Sequence, residues 1–276
     1  MTRIKSVLIT GCSTGIGFDA AMTLHKKGYQ VFATARKSQD VERLRELGLN
    51  AKLLDLTDER SIRNALIWVL EQTGGTLDAL FNNGAFGQPG AIEDLPVQAL
   101  KEQFETNLFG WHDLTLQVLP IMRKQGHGRI IQCSSVLGLV AMPYRGAYNA
   151  SKFALEGYTD TLRLELMGTN IQVSLIEPGP IDTEFRANAL AKLNQHIDIE
   201  HSVYKEAYLP QIERLATKKT STPFTLPSSA VTRKLIHALE AKRAKRRYYV
   251  TFPTYLMAFF KRCLPTAWLD RFLLKA

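Results

Sequence analysis

The stretch YNASK, residues 148–152, places a tyrosine and a lysine four positions apart. Apolar residues around it recur with helical spacing, so Tyr148 and Lys152 are expected on the same side of one helix. A phenol has an ordinary pKa of about 10 and exchanges protons poorly at neutral pH. A neighbouring ammonium favours the phenolate and lowers that pKa. The spacing therefore predicts a tyrosine that transfers protons, although an ordinary helix with an exposed Tyr and Lys shows the same pattern.

Two hydroxyls upstream of this stretch could bind a substrate oxygen. The run Gly128–Cys133 is predicted to be a buried strand, and Ser134 and Ser135 follow it directly. In open α/β sheets, ligands bind beyond the carboxyl ends of the strands. Either serine could hydrogen-bond a substrate there, and Ser134 could instead cap the turn. Its spacing to Tyr148 favours Ser135 as the substrate-binding hydroxyl.

The chain begins with a pattern typical of dinucleotide binding. A short predicted strand, 5–10, leads into TGCSTGIG, and a helix then continues to about Gly28. Gly11, Gly15 and Gly17 allow a tight turn and let backbone N–H groups approach a pyrophosphate at the helix N-terminus. The spacing is GxxxGxG rather than the commoner GxGxxG. A glycine-rich turn alone is weak evidence, and its position between a strand and a helix strengthens it.

The end of the second predicted strand, 30–35, indicates which dinucleotide would bind. An acidic residue at this position would hold the ribose hydroxyls of NAD, but the chain has Arg36 followed by Lys37. Arginine suits the 2′-phosphate of NADP, and Ser13 could assist it. A solvated cation at a strand end is the alternative interpretation. The absence of the acid favours NADP.

Further strands are predicted at 51–54, 77–81, 171–176 and 248–252, alternating with helices at 40–47, after Asp58, from Pro96 onward and at 228–239. This alternation predicts an α/β fold: a single-domain Rossmann-type, doubly wound parallel sheet with helices on both faces. The domain would comprise residues 1–252.

Asn107 lies inside the helical pattern formed by Leu100, Phe104, Leu108 and Trp111, and it is either solvated or a binder of water. Residues 182–226 break the alternation and form either a substrate lid or an ordinary surface helix pair.

Composition excludes several classes of function. The chain has 276 residues, 45% of them apolar, and a net charge of +9. Residues 233–276 carry 11 Lys or Arg and 2 Asp or Glu, so the positive excess is local and argues against a nucleic-acid groove. Cys12, Cys133 and Cys263 lack metal-ligand spacing, so no metal is expected and the thiols are expected to be reduced. No signal peptide and no membrane span are expected, which favours a cytoplasmic protein.

These motifs together resemble the short-chain dehydrogenase/reductase family. TGCSTGIG, Asp55, Asn83, Asn107, Ser135, YNASK and EPGPIDT occur in the family's order, and the resemblance covers residues 4–252. VFATAR, YNASKFALEGY and SLIEPGPIDT are most similar to the branch that contains 17-beta-hydroxysteroid dehydrogenases, retinol dehydrogenases and bacterial aldehyde reductases. One motif differs, because the family usually has NNAG where this chain has Asn82-Asn83-Gly84-Ala85. Both exchanged residues are small, so close backbone approach is expected to survive.

The resemblance implies roles for individual residues. Tyr148 would donate or accept the proton, and Lys152 would hold the nicotinamide ribose and lower the Tyr148 pKa. Ser135 would orient the carbonyl oxygen, and Asn107 would position a water in a proton relay. Besides Tyr148, Lys152 and Arg36, the implied cofactor-binding residues are Gly11, Ser13, Ile16, Gly17, Asp55, Asn83, Ile181 and Thr183.

The resulting functional hypothesis is an NADP(H)-dependent oxidoreductase that acts on a carbonyl/alcohol pair. An apolar pocket for a bulky aldehyde or ketone is expected from the side chains Phe86, Val140, Met142, Tyr144 and Phe185. The alternatives are a dinucleotide-binding sensor without catalysis, which the intact Ser135, Tyr148 and Lys152 disfavour, and a sugar-nucleotide epimerase. The epimerase is disfavoured because its usual GxxGxxG spacing and longer C-terminal domain are absent. Homo-oligomers are common in the family and are possible here.

Residues 253–276 are predicted to form a basic, amphipathic helical tail. Leu256, Phe259, Phe260 and Cys263 would share one helix face, and Trp268, Leu269, Phe272 and Leu273 another, with Asp270, Arg271 and Lys275 opposite. A preceding cluster contains Lys242, Arg243, Lys245, Arg246 and Arg247. Apolar faces beside cations suit peripheral contact with an anionic membrane. Packing against the protein's own pocket or a partner subunit is favoured, because most amphipathic helices face a core.

Overall fold

The computed structural model describes residues 6–217 and 223–274. Its central element is a parallel sheet of seven strands in the order β3-β2-β1-β4-β5-β6-β9. This doubly wound arrangement confirms the predicted fold class. The strands of this sheet are β1 (Ser6–Ile9), β2 (Gln30–Ala35), β3 (Asn50–Leu53), β4 (Ala79–Asn82), β5 (Gly128–Cys133), β6 (Ile171–Glu177) and β9 (Arg247–Tyr249). A separate pair consists of β7 (Ile181–Asp182) and β8 (Leu226–Pro227).

Helices flank the sheet because the strands are buried and mostly apolar, so both sheet faces need a cover. Helix α1 packs against α9, and α3 packs against α5. The helices are α1 (Gly15–Lys26), α2 (Ser38–Glu46), α3 (Glu59–Thr73), α4 (Val97–Phe104), α5 (Gly110–Gln125), α6 (Gly146–Glu165), α7 (Phe185–His196), α8 (Lys205–Ala216), α9 (Ser229–Glu240), α10 (Phe252–Cys263) and α11 (Thr266–Leu273).

The element bounds agree closely with the sequence patterns where local signals are strong. β2 and β5 have the predicted bounds, and the Asp58 carboxylate accepts a hydrogen bond from the Arg60 N–H at 2.9 Å, capping α3. The last strand differs: β9 ends at Tyr249, and the predicted strand residue Phe252 begins α10. Pro253 in the first turn explains this start. Lys5, the predicted start of β1, lies outside the described residues.

The long helical region after Pro96 is interrupted by a π-helical turn, Glu105–Phe109, between α4 and α5. Asn107 lies in this turn and is buried. The predicted common face is therefore only partly correct, because Trp111 is buried whereas Leu100 is exposed. A π turn adds a residue to the helical repeat and shifts the faces that follow it.

Residues 182–226 form a small unit with its own apolar cluster. α7 packs against α8, and β7 pairs with β8 at the base. Tyr208 fixes the unit to the loop before α4, because its hydroxyl donates to Asp94 Oδ2 at 2.7 Å and accepts from the Ala91 N–H at 2.8 Å. Residues 218–222 are outside the described part of the chain. The role of this unit as a lid stays a prediction.

The tail packs beside the loop that follows β5. Val140 from that loop forms an apolar cluster with Met257, Leu269 and Leu273, joined at its edge by Val136, Leu256, Phe260 and Leu264. The predicted faces are partly wrong, because Phe259, Cys263 and Trp268 are exposed. The predicted Lys275 lies beyond the last described residue.

The basic cluster is not continuous with the tail. Residues 242–246 precede β9 and therefore lie at the amino end of a strand whose carboxyl end leads into α10. Arg247 is instead engaged with three carboxylates inside the fold. None of the described helices is both long and apolar enough to cross a membrane.

Candidate active site

The glycine-rich turn between β1 and α1 is shaped for close backbone contact. Gly11 and Gly15 have φ of 71° and 58°, in the left-handed region that favours glycine. A Cβ on Gly17 would lie 2.2 Å from the Gly11 carbonyl oxygen. Thr14 at the start of α1 makes no side-chain cap, so it leaves the helix N-terminal N–H groups to another acceptor. These features fit a bound pyrophosphate.

Asn83 and Thr10 tie the turn to the loop after β4. Asn83 Nδ2 donates to the carbonyl oxygens of Thr10 at 3.0 Å and Gly11 at 3.2 Å. Thr10 Oγ1 accepts from the N–H groups of Asn83 and Gly84, both at 2.9 Å. These contacts place Asn83 behind the turn, as a residue that holds it in shape.

Gly84, the position where the chain departs from the family's NNAG motif, lies directly against Gly11. A Cβ on Gly11 would lie 2.5 Å from Gly84 Cα, so the two backbones touch. Neither Gly84 nor Ala85 has a positive φ, so the exchange imposes no left-handed conformation on alanine. The expectation that close approach survives agrees with this geometry.

The side chains that would surround the adenosine follow β2 and β3, which are neighbours in the sheet. Arg36 is exposed directly after β2. Asp55, after β3, accepts hydrogen bonds at Oδ1 from the Thr57 N–H at 3.0 Å and the Thr57 hydroxyl at 2.8 Å. Arg43 on α2 donates to the Ser13 carbonyl and pairs with Asp40. Arg43 was missed in the sequence, because a helical arginine carries no motif.

Lys152, Tyr148 and Ser135 converge at the carboxyl end of β5. Lys152 is fully buried, and its Nζ donates to the Cys133 carbonyl at 2.8 Å. The same Nζ lies 4.5 Å from the centre of the Trp111 ring and 5.7 Å from that of Tyr148. Ser135 interacts with the Tyr148 phenol, and its Oγ accepts from the Leu137 N–H at 3.1 Å. The structure thus brings together a hydroxyl, a phenol and an ammonium.

Burial controls the protonation of this group. It raises the pKa of Tyr148, against smaller lowering effects of Ser135 and Arg145. The expectation that Lys152 lowers the Tyr148 pKa is therefore wrong. The pKa is raised, and Lys152 is not among the groups that shift it. Burial also lowers the pKa of Lys152 to about 8, partly opposed by the charges of Cys133 and Glu156. The phenol is protonated at neutral pH, the form in which it can donate a proton.

Asn107 uses its side-chain amide to hold the loop after β4. Its Nδ2 donates to the Phe86 carbonyl at 2.9 Å and to Ser151 Oγ at 3.3 Å, and its Oδ1 accepts from the Phe86 N–H at 3.2 Å. Ser151 Oγ in turn donates to the Tyr148 carbonyl at 2.9 Å. Asn107 therefore links the π turn to the Tyr148 helix. Its predicted contact with a water stays a prediction.

A cluster of buried charges lies behind Lys152 and was missed in the sequence. Arg247 pairs with Glu156, with Glu177 at 2.6 Å and with Asp160 at 2.6 Å. Burial raises the pKa of Glu156 and raises that of Glu177 to about 8, and the nearby carboxyls reinforce both shifts. Glu156 lies one helical turn beyond Lys152, and this spacing was the available signal.

Apolar side chains cover one side of Tyr148. The Phe185 ring packs edge-on against the Tyr148 ring, with centroids 5.5 Å apart. A Cβ on Gly87 would lie 2.9 Å from Phe185, so the loop after β4 closes the same side. Thr183 lies over the glycine turn, because a Cβ on Gly15 would meet its Cγ2 at 2.9 Å.

The remaining predicted positions divide between cofactor and pocket. Ile16 and Ile181 are partly buried against the main core near the turn. Of the predicted pocket residues, Val140 is buried under the tail and Tyr144 packs in the 182–226 cluster. Met142 uses its carbonyl to accept from Asn149 Nδ2 at 3.1 Å. Phe86 has the Lys192 ammonium 5.2 Å from its ring centre, so the pocket is less apolar than expected.

Comparison with known families agrees with this geometry. The family model described as short chain dehydrogenase matches residues 5–194, which include the glycine turn, Ser135, Tyr148 and Lys152. The chain belongs to the short-chain dehydrogenase/reductase family. It is accordingly an oxidoreductase of the family, and the predicted resemblance is confirmed.

Similar proteins extend beyond the matched region. An Escherichia coli protein described as uncharacterized oxidoreductase YbbO is 41% identical over 269 residues, covering 98% of this chain and 94% of that protein. Human retinol dehydrogenase 8 is 38% identical over 226 residues, covering 76% and 71%. The crystal structure of a short-chain dehydrogenase from Streptomyces avermitilis superposes with a TM-score of 0.79 at 25% identity, covering 99% of this chain and 97% of that one. The matches to the Escherichia coli protein and to the Streptomyces avermitilis structure therefore include the tail as well as the Rossmann-type domain.

Proposed function

We propose that the protein is an NADP(H)-dependent carbonyl reductase that acts on an aldehyde or ketone with a bulky apolar part. The observation that carries this proposal is the convergence of Ser135, Tyr148 and Lys152 at the carboxyl end of β5. Phe185 supplies an apolar wall beside the phenol. The name of the human relative, a retinol dehydrogenase, is in keeping with an apolar substrate.

NADPH, when bound, supplies the hydride for the reduction. The substrate oxygen is held by the Ser135 hydroxyl beside the Tyr148 phenol. As negative charge develops on that oxygen, Tyr148 transfers its proton to it and becomes a phenolate. The Lys152 Nζ lies 5.7 Å from the centre of the Tyr148 ring. A protonated phenol, which the raised pKa provides, is the form that carbonyl reduction requires.

The cofactor assignment rests on the end of β2. Arg36 is exposed there and followed by Lys37, with no acidic side chain that would bind ribose hydroxyls. Gly11, Gly15 and Gly17 would approach the pyrophosphate, and Lys152 would hold the nicotinamide ribose. Asp55 would lie on the adenine side of the same sheet edge.

A panel of aldehydes and ketones, followed by NADPH absorbance, tests the proposal. NADPH consumption with at least one apolar carbonyl, and weaker consumption with NADH, is the expected result. Binding of NADPH without turnover of any carbonyl or alcohol would instead favour the dinucleotide-binding sensor.

Three further properties are proposed with the activity. Exposed apolar side chains on α5 and α6, including Leu116 and Leu164, favour a homo-oligomer. Exposed Phe259 and Trp268 near Lys261 favour peripheral contact of the tail with an anionic membrane. The three free thiols favour a reducing, cytoplasmic compartment.

A further inference from the structure

Three arginines come together next to the catalytic tyrosine. Arg145 immediately precedes α6, Arg186 lies in the first turn of α7, and Arg214 lies in the last turn of α8. Burial, together with the charges of Arg214 and Arg186, lowers the pKa of Arg145 to about 10. Arg145 is also close enough to Tyr148 for each charge to influence the other's pKa.

A cavity opens at two of these arginines. Its volume is ≈ 200 Å³, and it is lined by Arg186 and Arg214 together with Pro210, Glu213 and Thr217. Glu213 is exposed and takes part in none of the ion pairs among the described residues. The cavity belongs to the 182–226 unit, which packs against the loop before α4 through Tyr208.

Arg145 and Arg214 differ from the other partly buried arginines in having no partner. Neither side chain makes a hydrogen bond or an ion pair with any residue in the described part of the chain. In contrast, Arg129 donates to the carbonyls of Ala238 and Ala241, and Arg247 pairs with three carboxylates. Desolvated like charges repel, and a desolvated guanidinium without acceptors is costly. An anion bound at this site would offset the repulsion and would supply an acceptor to Arg145 and Arg214.

We propose that this three-arginine site binds an anionic group, a carboxylate or a phosphate monoester, at the end of the substrate remote from its reacting carbonyl. The inference rests on the proposed function, and it replaces a wholly apolar substrate with an amphipathic one. Planar guanidinium groups match carboxylate and phosphate geometry in bidentate pairs. The apolar part of the substrate would pass Phe185, between Tyr148 and the arginines.

The cofactor's phosphates are a less suitable occupant. The glycine turn that fits the pyrophosphate lies between β1 and α1, and Arg36 follows β2. Arg145 is instead bridged through its backbone to Gly90, in the loop that packs on the 182–226 unit. The three-arginine site therefore lies on the substrate side of Tyr148.

Matched pairs of substrates test the site. Each pair consists of a neutral straight-chain aldehyde and the aldehyde of equal length that carries a terminal carboxylate, with a second arm that carries a terminal phosphate monoester. The ratio of kcat/KM for the charged to the neutral aldehyde is measured over a series of chain lengths. In wild type the charged member should be favoured at one length, and Arg214→Gln should reduce that ratio about 10- to 100-fold.

Lys205→Gln is the matched control, because it removes one positive charge from the same helix at an exposed residue paired with Glu200. It should leave the ratio unchanged, and Arg214→Lys should restore part of it. The inference is overturned if Arg214→Gln and Lys205→Gln give the same ratio as wild type, or if Arg214→Gln weakens NADPH binding instead.

Failure of the proposed function can be separated from failure of this site. If no aldehyde is turned over, calorimetric binding of the terminal alcohol analogues that carry a carboxylate or phosphate decides the question. Binding that Arg214→Gln weakens and Lys205→Gln does not would uphold the anion site without the reductase activity. Absence of binding to wild type would refute the site.

Discussion

Replacing Arg247 with methionine is expected to destabilise the fold by about 3 kcal/mol or more above about pH 8, where the change leaves buried carboxylates without their cation. Arg247 contacts Glu156, Glu177 and Asp160. Asp160 has 40% of its side chain exposed, so its pair adds at most about 1 kcal/mol. Glu177 is 0% exposed and Glu156 9%, so these two carboxyls account for most of the loss.

The loss should depend on pH, and its sign follows from the carboxyl pKa values. Glu177 has a folded-state pKa of about 8, raised from 4.5, and the pKa of Glu156 is also raised. A raised pKa contributes stability that is present below the unfolded pKa and is lost as pH rises through the folded one. The free energy of unfolding of Arg247→Met should therefore fall more steeply than that of wild type between about pH 5 and about pH 9.

Urea unfolding followed by tryptophan fluorescence measures this difference, and Arg246→Met is the matched control. Arg246 is the neighbouring arginine, exposed and outside the carboxylate cluster, so its replacement should change stability by less than about 0.5 kcal/mol. Equal stabilities of the two variants at every pH would refute the interpretation of the cluster.

Three other outcomes are expected. Arg36→Ala should weaken NADPH binding about 10-fold or more and leave NADH binding nearly unchanged, and an unchanged affinity ratio would disprove the 2′-phosphate contact. Exposed Cys263 should react rapidly with a thiol reagent in the native protein. The other two thiols, whose pKa values burial raises to about 12 and about 11, should react only after unfolding. In co-sedimentation with anionic vesicles, the wild-type protein should bind at low salt, and the double variant Phe259→Ser/Trp268→Ser should not. If the wild-type protein does not sediment with the vesicles, the tail has a packing role alone.

The fold was predictable because its signals are local and repeated. Apolar runs alternate with amphipathic segments. Two helix starts also carry a local signal, because the Asp58 carboxylate caps α3 and glycines with positive φ form the turn before α1. The bounds of β2 and β5 follow from such runs. The π turn around Asn107 was not predictable, because an inserted residue leaves the apolar pattern recognisable on both sides.

The site was predictable where a motif fixes the spacing along one helix, as for Tyr148 and Lys152. It was not predictable where the partners come from distant elements. Arg247 is 91 residues from Glu156 in sequence, and Arg43 is 30 residues from Ser13. The sign of the Tyr148 pKa shift was also wrong, because burial outweighs the effects of neighbouring groups and cannot be judged from spacing.

Tyr148 is expected to donate the proton in an NADPH-dependent carbonyl reduction. Tyr148→Phe removes the hydroxyl and keeps the ring that packs against Phe185. NADPH binding, measured by fluorescence titration, and turnover of the best carbonyl should be determined on the same preparation. This role for Tyr148 predicts nearly unchanged NADPH affinity and a loss of turnover of about 100- to 10,000-fold, the range expected for a lost general acid. Turnover close to that of wild type in Tyr148→Phe would contradict it.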